Sequence, residues 1–149
     1  MLRAAVLGVV LTGSAACDAF DSVDLGDNPA VRTANLDEDF FVCRLQPEVL
    51  SARGCATGEA GEACHATESS YRLLDVDAGY ASGCEDGFLS NPPDTVLTNF
   101  EATQPWMFED PESSPLLTRP TGIRSHPRTV FAIDSPEADL IREWVSAGR

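Results

Sequence analysis

Residues 54–66, Gly54-Cys55-Ala56-Thr57-Gly58-Glu59-Ala60-Gly61-Glu62-Ala63-Cys64-His65-Ala66, constrain this chain more than any other stretch. Two cysteines flank a small acidic loop, and a histidine follows the second cysteine directly. Any fold must either bring both sulfurs and an imidazole to one place or close the loop on itself. Gly58 and Gly61 supply the backbone freedom to fold back. Loop length adds little cost, since each doubling costs about 0.6 kcal/mol.

Three chemistries suit this pattern. A cysteine followed by histidine is the second half of a c-type haem attachment signal, whose usual form is Cys-x-x-Cys-His. Haem c then needs Cys55 and Cys64 as thioether partners of the porphyrin and His65 as proximal iron ligand. The second chemistry is a Cys55–Cys64 disulfide with His65 an ordinary loop histidine; closing so short a loop contributes roughly 2–3 kcal/mol. The third is zinc, with His126 and an acidic side chain completing the set, although the spacing matches no common zinc pattern.

The leader bears on which compartment these thiols meet. Met1-Leu2-Arg3, the apolar run Ala4–Leu11 and the small residues up to Ala16 read as a secretory signal, residues 1–16. Its apolar run is too short to span a bilayer. Cys17 after those small residues makes the segment similar to a bacterial lipoprotein signal, with Ser14 where leucine usually stands. That resemblance implies lipidation of Cys17, export, and a lipid anchor in the bacterial cell membrane facing periplasm or exterior. A plain signal peptide is the alternative. Asp18 resembles an inner-membrane retention signal. Residues 17–36 read as a flexible tether, rich in aspartate with Gly26 and Pro29.

Charge narrows the partners. The chain holds ten arginines, no lysine and 24 acidic residues, for a formal net charge of −14. No basic patch meets nucleic acid phosphate. Anionic lipid is disfavoured as well, leaving the lipid anchor as the membrane contact. An acidic surface can steer a basic redox protein partner, or simply be solvated.

Residues 37–149 then form one domain. Asp37-Glu38-Asp39 opens an apolar helix in which Phe41, Leu45 and Val49 fall at four-residue steps. Pro47 inside it predicts a kink or restart, and Gly54 predicts its end. Tyr71–Val76 reads as a short apolar run, and Asp77–Asn91 as turns around Cys84. Asp94 or Thr95 caps a helix over 96–102, and Asp110-Pro111 starts a helical turn. Ser135-Pro136-Glu137 opens the last helix, whose face is Leu140, Ile141, Trp144 and Val145, ending at Gly148. Met107, between Trp106 and Phe108, is the only methionine after the leader; it is either a core side chain or an iron ligand. His126, before Pro127, is the alternative distal ligand or a surface histidine. Once Cys55 and Cys64 are assigned to each other or to haem, Cys43 and Cys84 remain for a disulfide; four cysteines allow three connectivities.

The order Phe41-x-Cys43-Arg44-Leu45-Gln46-Pro47-x-Val49-Leu50, Cys55, Ala63-Cys64-His65 is similar to the start of small cytochrome c-like domains of bacterial exported lipoproteins. Ser114-Pro115-Leu116-Leu117-Thr118-Arg119-Pro120, then His126, then a closing helix with Trp144-Val145 and Gly148, continues the likeness. The family's loop is shorter than the eight residues here. The resemblance implies a mostly α, cytochrome c-like fold, with N- and C-terminal helices packed together and long irregular loops. It also implies one haem c for electron transfer, held by Cys55, Cys64 and His65, with Met107 or His126 distal. The alternative is a haem-free structural or binding module on the same fold with two disulfides. An enzyme with a nucleophilic cysteine is a third reading.

Overall fold

The computed structural model describes residues 34–57, 65–66 and 69–148. The leader, Cys17, the tether up to residue 33 and Cys64 lie outside them. Among the described residues the chain is mostly helical and has no strand, only an isolated bridge between Glu85 and Phe88.

Asp37 caps the first helix, its carboxylate accepting from the Phe40 N–H at 2.8 Å. One α-turn, α1 (Glu38–Phe40), leads directly into a wider π-helix over Phe41–Ser51. Pro47 was expected to kink or restart this helix; instead it sits inside it. The physical reason lies in one carbonyl. In the i→i−5 register Pro47 has no N–H to give Val42, and the Tyr80 hydroxyl donates to the Val42 carbonyl at 2.6 Å. Past Ser51 the register is mixed: Ala52 N–H reaches the Pro47 carbonyl at 3.2 Å and Cys55 N–H the Leu50 carbonyl at 3.0 Å, while between them Arg53 N–H bonds the Val49 carbonyl and Gly54 N–H the Ser51 carbonyl, each at 3.0 Å. Gly54 turns the chain at φ 60, a left-handed conformation that glycine adopts at little cost.

The last helix, α4 (Pro136–Ala147), has the expected Ser135 cap and buries Leu140, Ile141, Trp144 and Val145. It packs on the first helix through an aromatic cluster: Trp144 lies 5.3 Å from Phe41, and Phe41 lies 5.4 Å from Phe100. The Trp144 indole N–H donates to the Asp37 carbonyl at 2.7 Å, so its one polar atom is satisfied. Each such fully buried side chain contributes about 1.5–3 kcal/mol. Ala34 and Leu36, at the end of the predicted tether, pack against this core. The Asn35 amide donates to the Gly148 carbonyl at 2.7 Å.

Between these helices the chain is held by polar clamps. Residues 72–77 form no regular secondary structure, and Leu73 is buried. Buried Asn99 accepts from the Leu74 N–H at 2.7 Å, and its amide donates to the Leu74 carbonyl and to Gln46. This pairs the backbone of Leu74 in a segment that has no helix or strand of its own. A Cys43–Cys84 disulfide, as expected, ties the turn-rich segment to the first helix. Asp77 caps a 3₁₀ turn over Ala78–Gly83 beside it.

Helix α2 (Asp94–Thr103) begins earlier than expected: Asp94 and Thr95 are within it, and Pro93 is the cap residue. Pro93 fixes the entry through its own φ, without a side-chain cap. A 3₁₀ turn at Gln104–Trp106 follows. Asp110 caps a second over Pro111–Ser113, which leads to α3 (Pro115–Thr118).

Candidate functional site

One cavity of about 340 Å³ lies between the end of the first helix, residues His65, Ser69 and Tyr71, and the loop after α3. Its floor is apolar: Val49, Leu50, Leu116, Phe131 and Ile141 are all buried. Cys55, His65 and His126, distant in sequence, all line it. This volume is ordinary for a small-molecule or cofactor pocket.

Local hydrogen bonds place each histidine. His65 Nδ1 lies 2.9 Å from the Tyr71 carbonyl, and its own carbonyl accepts from the Leu73 N–H at 2.8 Å. The Tyr71 ring meets the His65 ring edge-on at 5.0 Å. Tyr71 is anchored in turn through its hydroxyl, 2.8 Å from Thr103 Oγ1. His126 sits on a loop that the Val130 N–H closes onto the Pro120 carbonyl at 2.7 Å. Its Nδ1 lies 2.6 Å from the Arg128 carbonyl. A carbonyl only accepts, so each Nδ1 carries a proton as donor, and Nε2 is the nitrogen left open in each ring.

The two imidazoles face one another, with centroids 6.1 Å apart and planes 19° from parallel. Burial is the main cause that pushes the His65 pKa below its ordinary value, and His126 and Arg119 push the same way against the Tyr71 hydrogen bond. His65 is therefore a neutral base near pH 7. Ligating histidines commonly show this arrangement, with one ring nitrogen donating to a carbonyl and the other open.

Cys55 is a free thiol among the described residues. Burial raises its pKa to about 11, against the pull of Arg128 and Arg53. A thiol held protonated is a poor nucleophile at neutral pH, which works against thiolate catalysis at this position. Cys64, the other half of the predicted pair, lies outside the described residues.

Met107 is placed elsewhere. It is fully buried in the core and does not line the cavity. Among the described residues no group of three or more His, Cys, Asp or Glu side chains could share a metal ion. No described helix is long and apolar enough to cross a membrane.

Sequence reasoning noted Arg124 and Arg128 near His126 but gave the arginines no role at the site. Arg53, Arg119 and Arg128 line the cavity, and Arg119 lies over the Trp106 ring at 5.1 Å. A signal was present: residues 113–133 contain three arginines and no carboxylate, in a chain with 24 acidic residues.

No protein-family model matches this chain, and no curated protein or solved structure matches it either.

Proposed function

We infer that this chain is an exported, lipid-anchored electron carrier with a cytochrome c-like domain that binds one haem covalently in the Cys55–His65–His126 cavity. The observation that carries this reading is the pair of imidazoles that line one cavity with Cys55. Each has Nδ1 tied to a backbone carbonyl, and the rings stand 6.1 Å apart.

The residues present fit the group. His65 and His126 would hold the iron through Nε2, and Cys55 and Cys64 would be the thioether partners. The apolar floor would face the porphyrin, and it excludes water from it. Bound haem would supply reversible one-electron transfer. The role of the Tyr71 and Arg128 carbonyls is to fix ring orientation and tautomer, so that neither imidazole must reorganise as charge changes. Met107, enclosed in the core, supports packing rather than ligation.

The test is production of the mature chain in a cell with a c-type haem maturation system, followed by absorption spectroscopy and intact mass. A Soret band and a mass gain that survives denaturation are expected. A colourless protein with the mass of the bare oxidised polypeptide overturns the reading and leaves the haem-free module.

A further inference from the structure

The cavity wall reverses the charge of the molecule around it. The chain carries a formal charge of −14, yet the described lining has three arginines and no aspartate or glutamate. Arg53 is already paired, with Glu137. Arg119 and Arg128 have no ion pair among the described residues, and both are exposed while lining the cavity, which puts them at its mouth.

Guanidinium groups with no carboxylate partner among the described residues, beside an apolar floor, match a ligand with an apolar body and carboxylates at one edge. A guanidinium binds a carboxylate through parallel N–H donors, which fixes orientation as well as charge. Arg119 is pre-positioned for this by its stack on Trp106, so less side-chain freedom is lost on binding.

We propose that Arg119 and Arg128 form a carboxylate seat at the cavity mouth, which selects an apolar occupant bearing carboxylates and sets which edge faces solvent. For the haem of the preceding section, on which this application rests, the seat receives the propionates and leaves the opposite edge inward. The same chemistry would take a fatty acid if the domain holds no haem.

The full mature chain tests both cases. With covalent haem in place, the double variant R119Q/R128Q is expected to show a lower midpoint potential than wild type, because two positive charges near the iron are lost. Its potential should also vary with pH where that of wild type is flat, as propionates lose their partners. Lysine at both positions should restore most of the shift, and Arg124→Gln, outside the lining, should change nothing. An unchanged potential in the double variant, or the same shift in R124Q, overturns the seat. If the chain proves to carry no haem, the probe is a fluorescent C18 fatty acid against its methyl ester. Wild type should bind the acid about tenfold tighter or more, and R119Q/R128Q should bind the two alike. Equal binding by wild type overturns the proposal in that case.

Discussion

The Tyr80 hydroxyl donates to the Val42 carbonyl at 2.6 Å, the one carbonyl that Pro47 leaves without a donor in the i→i−5 register. A proline inside a helix normally breaks it. Here a side chain from a turn 38 residues on replaces the missing N–H, and the Cys43–Cys84 disulfide holds that turn in place.

Tyr80→Phe should therefore destabilise the protein by about 1–3 kcal/mol, the cost of leaving a half-buried carbonyl unpaired. The urea midpoint measures it. A double-mutant cycle with Pro47→Ala sharpens the test. Restoring an N–H at position 47 should shrink the cost of losing the Tyr80 hydroxyl, and equal costs in both backgrounds would refute the pairing.

The disulfide should contribute strongly. It closes a loop of 41 residues' separation, for which the chain-entropy estimate is about 4 kcal/mol. Cys43→Ala/Cys84→Ala should lower thermal stability accordingly. Hydrogen exchange should report the loss first at the amides of residues 78–88.

Gly148 is constrained by contact rather than by conformation. A Cβ there would lie 1.8 Å from the Asn35 carbonyl oxygen. Gly148→Ala should force the 34–36 segment off the last helix and cost about 1–3 kcal/mol. The same substitution at Gly87, where no atom lies within 4 Å, tests only its positive φ.

Acidification of the haem-free chain should weaken it in two windows. The His65 pKa is depressed, so its contribution is complete above the unfolded value of about 6.5 and is lost as pH falls below that. The Glu137 carboxyl is also depressed, chiefly by its hydrogen bond from Arg53. Its contribution is complete above about 4.3 and is lost further down. Thermal melts from pH 8 to 3 should show both steps. His65→Gln should remove the first, and Arg53→Gln should shrink the second. The Arg53 side chain is largely solvated, so the second step should be small.

Much of the helical frame was legible because local rules carry it. Ser135 caps α4, and Leu140, Ile141, Trp144 and Val145 share its buried face, as pattern alone required. The first helix was legible in position but not in register, and it ends at Ser51, three residues before the expected Gly54. Tolerance of Pro47 depends on Tyr80, and no local rule couples residues 38 apart. The start of α2 was misplaced because proline can begin a helix without a side-chain cap. At the site, residue identity named His65, His126 and Cys55, but the choice between His126 and Met107 is a matter of three-dimensional placement. Met107 faces the core, and His126 faces His65 across the cavity. The arginine wall could be read only as a gap in the acidic pattern until folding put it at one opening.

The most direct test of the two-histidine haem site is electron paramagnetic resonance and near-infrared spectroscopy of the ferric mature protein, compared with its Met107→Leu and His126→Ala variants. The expected result is a low-spin iron with two imidazole ligands in wild type and in M107L, without a sulfur-to-iron charge-transfer band, and loss of that signature in H126A. A spectrum changed by M107L and indifferent to H126A would contradict the account, as would a mature protein with no haem iron at all.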